Sequence, residues 1–296
     1  MGSDAANIRL GIVYRPQIAP EHLAAAARAA DRAGVDEMWL WEDCFLAGGI
    51  SAAAIALSHS ENLTVGVGVL PVPMRNVAAT AMEVATLARA FPGRVRIGLG
   101  HGVQEWMGQI GARVDSPMTL LREYLTCLTA LLRGERVTFH GRYVNLDEVA
   151  LDWPPPPGTE VLAAAMGPKT LRLSGELAAG TVLSGGTTPD GVRAATAHIR
   201  AGGERRTEPA AHSVVTYVLC ATGPTAQADL DAEIRLWELD PNQDVGLAGD
   251  ADEVAAGIGR WVAAGVDTVV LQPGAEVDVQ EFAGFVGRDV RAALAR

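Results

Sequence analysis

Between Asn62 and Gly102 a valine-rich run and a second apolar run flank a helical stretch, and the runs end in glycine-rich or proline-rich loops. The first run, residues 63–70, leads through a proline-containing turn into a helix over about residues 77–91. Pro92-Gly93 breaks that helix, and a second apolar run, residues 95–99, closes in Gly100-His101-Gly102. Strand, helix, parallel strand is the simplest reading. It puts both loops at the same end of a parallel sheet, the end where such folds hold ligands.

The rest of the chain repeats this rhythm. Apolar runs at residues 8–13, 37–41, 63–69, 95–99, 160–165, 181–183, 213–220 and 268–271 read as eight strands. Helical stretches separate them, the clearest being 21–33, 117–132, 169–179, 189–199, 250–264 and the terminal 279–295. Residues 137–139 and 143–146 suggest a hairpin outside the repeat, and Trp153 followed by four prolines makes a rigid crossing loop. Eight strands alternating with helices predict an α/β fold, a TIM (β/α)8 barrel, with residues 1–296 as one domain. An open doubly wound sheet is the competitor. Its dinucleotide fingerprint belongs right after strand one, where this chain has Val13-Tyr14-Arg15-Pro16 instead.

At 296 residues, 49% apolar and 20% charged, the chain is long enough for one continuous core. A net charge of -11 argues against nucleic acid and anionic membrane surfaces as partners. Cys44, Cys127 and Cys220 are widely spaced, with no CxxC pair, which fits a reducing cytoplasm. No signal-peptide core and no membrane-length apolar run is expected. HExxH, clustered Cys/His and Walker patterns are absent from the sequence, so no metal site is expected.

Candidate site residues follow from position at strand ends. Asp43 suits a hydrogen bond to a cofactor or to loop amides. Cys44 reads as a nucleophile or as an inert thiol. Trp39 and Trp41 share one side of their strand. Gly68, Val69 and Leu70 would let a planar ligand approach the backbone. Asn76 is a candidate helix N-cap, and Arg75 would pair with an acid or a phosphate. His101, followed by Gly102, suits a cofactor contact or acid–base work, Glu105 a proton donor and Trp106 a pocket wall. Met166, Gly167, Pro168 and Lys169 lead into a helix N-terminus that favours an anion, and Gly185-Gly186 forms the adjacent loop. Together these two loops read as a phosphate site, or as caps and tight turns.

The WxWEDC strand end, the VGVGVLPVPMRN turn, RIGLGHG, AAAMGPKTLRLSGELAAG and GDADEVAAGIGRWVAAGVDTVVLQP carry a resemblance that spans nearly the whole chain. In order and spacing they resemble the bacterial-luciferase-like flavin and deazaflavin oxidoreductases. The likeness is strongest to the actinobacterial branch of the coenzyme F420-dependent methylene-tetrahydromethanopterin-reductase type. The resemblance implies a TIM barrel with an insertion near strand seven, a non-proline cis peptide at Gly68-Val69, and a cofactor at the C-terminal mouth. It further implies a ring contact from Asp43 and tail contacts from the 167–169 and 185–186 loops. Lys169, Arg172 and Arg75 are candidates for a positive groove around the tail. The implied reaction is hydride transfer between F420 and a small organic substrate with an electron-poor C=C, C=N or C=O bond, or the reverse alcohol oxidation. His101 or water would carry the proton. The alternative is an FMN-dependent monooxygenase served by a separate flavin reductase. Many relatives carry His where this chain has Cys44, and the acid expected after strand four in the sugar-phosphate dehydrogenase branch falls at Val103. Both departures argue against that dehydrogenase activity. A homodimer is the implied assembly.

Overall fold

A computed structural model describes residues 8–207 and 210–296. The strands are β1 (Arg9–Tyr14), β2 (Glu37–Leu40), β3 (Thr64–Pro71), β4 (Val95–Gly100), β5 (Val137–His140) and β6 (Asn145–Val149). They continue with β7 (Glu160–Ala164), β8 (Gly180–Leu183), β9 (Ser213–Ala221), β10 (Gly246–Ala248) and β11 (Thr268–Gln272). The principal helices are α1 (Leu23–Ala33), α2 (Gly49–Ser58), α3 (Val77–Ala90), α4 (Gln104–Gln109), α5 (Pro117–Leu132) and α6 (Pro168–Leu177). The later ones are α7 (Pro189–Gly203), α8 (Ala226–Leu236), α9 (Ala251–Ala264) and α10 (Val279–Gly284).

Eight parallel strands close on themselves in the order β1-β2-β3-β4-β7-β8-β9-β11, the last pairing with β1. This is the expected barrel. The antiparallel β5–β6 hairpin stands apart from it, between α5 and β7. The short β10 adds to the far end of β9, an insertion after the seventh barrel strand. Neither β10 nor α4 was legible as an element in the sequence. The terminal helix is interrupted: a π-helical turn at Phe285–Val290 follows α10.

The helices form where the local chemistry sets their ends. Asn76 caps α3, its side chain accepting from the amides of Ala78 and Ala79. Asp250 and Glu253 form a reciprocal capping box on α9, and Gly265 ends that helix at φ 104, a conformation open to glycine. Their apolar faces pack on the outside of the barrel and form the main core.

Strand alternation sorts the barrel interior into layers. At the N-terminal end lies a charged layer. Arg96 donates to Glu37 at 2.9 Å, to Ser213 at 2.8 Å and to Glu160 at 3.2 Å, and Trp39 Nε1 donates to Glu37 at 2.7 Å. A cavity at this end is lined by the same paired groups, so its charges are already satisfied. Above it sits Trp39, fully buried with Leu162, Val182, Val215 and Val270. The indole has room only because its neighbours are glycines: a Cβ on Gly66 would lie 2.5 Å from the ring and one on Gly68 would lie 2.9 Å from it. Burying an aromatic of this size contributes on the order of 4–6 kcal/mol as an upper bound. The next layer up is where the strand ends open into the site.

Candidate active site at the C-terminal mouth of the barrel

β3 departs from regular pairing with β4 between Val67 and Leu70. The Gly68–Val69 peptide there is cis, as is a second one at Cys44–Phe45. Across this irregularity Val69 turns into the barrel over two more glycines. A Cβ on Gly98 would lie 2.7 Å from its side chain and one on Gly100 would lie 2.5 Å from it. The Tyr217 hydroxyl, reaching across from β9, donates to the Gly68 carbonyl at 3.2 Å. Burial pushes the Tyr217 phenol well above its usual range, so it stays a neutral donor.

Trp41 and Asp43 follow β2 on the same inward side. Trp41 packs edge-on against Tyr217 at 5.7 Å and against Trp237 at 6.0 Å. Burial raises the Asp43 carboxyl pKa, and the Arg15 charge opposes it. Glu42 points the other way. It is buried, accepts the Gly49 amide at 2.8 Å and takes a bidentate grip from Arg75, whose other arm reaches Glu83 at 2.9 Å. Arg75 therefore pairs with acids, the first of the two readings its position offered, and its charge ties together the loops after β2 and β3. The Cys44 thiol lies 3.9 Å from the Met74 sulfur. Burial, then Glu42 and Asp43, push its pKa up, which disfavours the thiolate a nucleophile needs.

His101 follows β4. Its Nε2 lies 3.3 Å from Thr170 Oγ1 in the first turn of α6, so the strand-four end and the 167–169 loop are brought together. Burial lowers the imidazole pKa; the Pro117 carbonyl opposes this from outside hydrogen-bond geometry, and Nδ1 is buried without a partner. Gly102 adopts φ 67, where a side chain would crowd Pro71 and Met107. Glu105 is exposed on α4, and Trp106 next to it in sequence is half-buried. Gly167 is the N-cap of α6 and offers no side-chain cap; Pro168, the first helical residue, has no N–H, which leaves the amides of Lys169 and Thr170 uncapped by a side chain, and Met166, Pro168 and Lys169 are exposed around them. Gly185 faces Gln272 and Gly186 faces Leu239 across the neighbouring loop.

Three contributors were not singled out in the sequence: Arg15, Tyr217 and Trp237. Arg15 ends β1 and is 2% exposed. It donates to Glu233 at 2.9 Å and to the Pro273 carbonyl at 3.3 Å, and its guanidinium lies 5.6 Å from the centre of the Trp237 ring. Trp237 in turn donates to Glu233 at 3.0 Å. An Arg at the end of a barrel strand was a signal in principle. Tyr217 carried one only through strand alternation, and Trp237 carried none. Among the described residues no group of three or more His, Cys, Asp or Glu could hold a metal ion, and no helix is long and apolar enough to cross a membrane. The three cysteines are free thiols.

A closed parallel barrel with polar and aromatic side chains gathered where its strands end defines a ligand-binding α/β barrel. The chain belongs to the luciferase-like monooxygenase family, which it matches over residues 6–240. It is 27% identical over 195 residues to 5,10-methylenetetrahydromethanopterin reductase of Methanolobus tindarius, covering 66% of this chain and 59% of that one. It is 30% identical over 189 residues to the F420-dependent glucose-6-phosphate dehydrogenase of Kineococcus radiotolerans, covering 59% and 55%. The matches thus span somewhat over half the length of these curated relatives. The solved coenzyme F420-dependent tetrahydromethanopterin reductase of Methanopyrus kandleri shares the fold at a TM-score of 0.83, with 19% identity and 97% and 99% coverage.

Proposed function

We propose that this chain is an F420-dependent oxidoreductase that moves a hydride between the deazaflavin and a small organic substrate at the C-terminal mouth of its barrel. The observation that carries the reading is the platform at the end of β3. Val69 is turned inward over Gly98 and Gly100, and the Gly68 carbonyl is held by Tyr217. The glycines leave room for Val69 and Tyr217 to seat there, and the resulting platform of backbone and one small side chain suits a flat polycyclic ring. The similarity to F420-dependent relatives supports the choice of cofactor.

The deazaflavin supplies a two-electron hydride donor or acceptor when bound. The chain's own residues do the rest. Asp43 offers a carboxyl to the ring edge, and Gly68, Val69 and Leu70 support its face. The open first turn of α6 after Met166, Gly167 and Pro168, together with Lys169 and the Gly185-Gly186 turn, offers amides and a charge to a phosphate. His101 is the residue we assign to hold the transferred proton. Its lowered pKa keeps the imidazole neutral near pH 7, ready to accept a proton in alcohol oxidation. Glu105, exposed on α4, and Cys44, held as a thiol, are left with no proton-transfer role in this assignment.

The test is turnover. Chemically reduced F420 is mixed anaerobically with the enzyme and a panel of ketones, enones and imines, and the return of the oxidised coenzyme's absorbance is followed. Enzyme-dependent reoxidation by members of the panel supports the reading. No reoxidation by any, alongside oxygen-dependent product formation with FMN and a flavin reductase, transfers the assignment to a monooxygenase.

A further inference from the structure

We propose that Arg15 and Trp41 form a two-donor binding position for the carbonyl oxygen of a neutral, planar substrate, with Trp237 as its movable cover. The inference rests on the proposed oxidoreductase function and specifies what its substrate pocket takes.

Register places the two donors side by side. Val13 pairs with Trp39 and Tyr14 with Leu40, so the next positions on the two strands are Arg15 and Trp41. Val13 and Trp39 both point into the barrel, and alternation by two turns Arg15 and Trp41 inward as well, one layer nearer the mouth. Each carries a buried N–H with no acceptor in hydrogen-bond geometry: Arg15 Nε, and Trp41 Nε1, which faces the Tyr217 hydroxyl from outside that geometry. A buried donor left unmatched costs roughly 1–3 kcal/mol, and such groups cluster where a ligand supplies the missing atom. Neither belongs to the β3 platform or to the loops assigned to the phosphate.

Charge decides what kind of oxygen fits. The Arg15 guanidinium is already matched by Glu233 at 2.9 Å, and Asp43 lies near enough for its carboxyl to feel the Arg15 charge. One cation beside two acidic groups leaves nothing to offset a third negative charge, so a carboxylate or phosphate is disfavoured. A neutral carbonyl meets both donors without that cost. The walls agree, since Trp41, Trp237 and Tyr217 present aromatic surface to a flat molecule.

Trp237 is what covers the position. Its ring lies against both the Arg15 guanidinium and the Trp41 indole, yet it is 40% exposed and follows the last turn of α8. One hydrogen bond, from its Nε1 to Glu233, holds the side chain. An entering carbonyl reaches the donors by displacing this indole.

The experiment is a titration of the F420-loaded, nitrogen-15-labelled protein, followed by the arginine Nε–H and tryptophan Nε1–H resonances. Cyclohex-2-enone is the neutral probe and cyclohex-1-ene carboxylate the anionic one. The expected result is saturable movement of the Arg15, Trp41 and Trp237 signals with the enone. The carboxylate should bind at least about tenfold more weakly, and Trp41→Phe should weaken the enone about fivefold or more, a larger loss than any it causes in F420 affinity. Stationary Arg15 and Trp41 signals, or tighter binding of the carboxylate, overturn the inference. In either case F420 binding stands on its own, so the cofactor assignment survives. Enone binding in a protein that does not bind F420 would keep this site and remove the oxidoreductase reading.

Discussion

The Tyr217 hydroxyl donates to the Gly68 carbonyl at 3.2 Å, and a Cβ added to Gly68 would sit 2.0 Å from that same oxygen. The two residues are thus matched twice, once by a hydrogen bond and once by the absence of a side chain. Tyr217→Phe removes only the first match and is expected to cost about 1 kcal/mol of stability. Gly68→Ala forces the phenol aside and is expected to cost about 1–3 kcal/mol and weaken F420 binding by about tenfold. Because the closest clash is with the hydroxyl and only the lesser one with Trp39 remains once it is gone, the double variant should be less unstable than the sum of the two. Urea unfolding of the four proteins measures the coupling.

Arg75 is expected to act on stability rather than on the cofactor tail. Its side chain and that of Glu42 are 16% and 4% exposed. Arg75→Met leaves Glu42 buried with only the Gly49 amide as partner, a loss of about 3–5 kcal/mol. Arg75→Met with Glu42→Leu should recover most of it, since both charges are then gone. Chemical denaturation distinguishes this from a tail-binding role, which the second substitution would not rescue.

His212 should give the fold a pH dependence on its acidic side. Its Nε2 lies 2.8 Å from Thr181 Oγ1, and Arg206 donates to its Nδ1 at 3.1 Å. Burial first, and the Arg206 charge second, lower its pKa from 6.5 to about 4. The unfolded chain therefore binds a proton that the folded one refuses between these values. Stability rises with pH across that window and is lost as pH falls through it, by up to about 3 kcal/mol. His212→Gln should flatten the stability profile between pH 6.5 and 4 relative to the parent protein.

Cys44 is expected to be a slow thiol. With burial and two acidic neighbours opposing ionisation, iodoacetamide should label it more slowly at pH 8 than it labels a free cysteine peptide, by roughly threefold or more. Labelling as fast as the peptide would contradict the environment described for this strand end.

Much of this architecture is written in local pattern. The eight barrel strands announce themselves as short apolar runs, and Trp39 with Trp41 shows the inward side of β2. The strand-end rule also singled out Asp43, Gly68 and His101, and all three lie at the strand ends it pointed to. What local pattern lacks is register. Arg15 beside Trp41 and Tyr217 above Gly68 are set by which strands pair, and that is fixed by the closure of the whole barrel. Trp237 lies at the end of α8, just outside the periodic part of that helix, so no spacing marks it. β10 has three residues and α4 six, too few for either period to show. Arg75 was legible as a charged residue near a turn, but choosing between an acid and a phosphate needed the buried position of Glu42.

Cofactor choice is decided by a pair of equilibrium titrations of the purified protein, one with oxidised F420 and one with FMN, read by fluorescence or calorimetry and repeated with Lys169→Ala. F420 should bind tightly and FMN about a hundredfold more weakly, and F420 affinity should fall about fivefold without Lys169. Tighter binding of FMN than of F420 would contradict the proposed function.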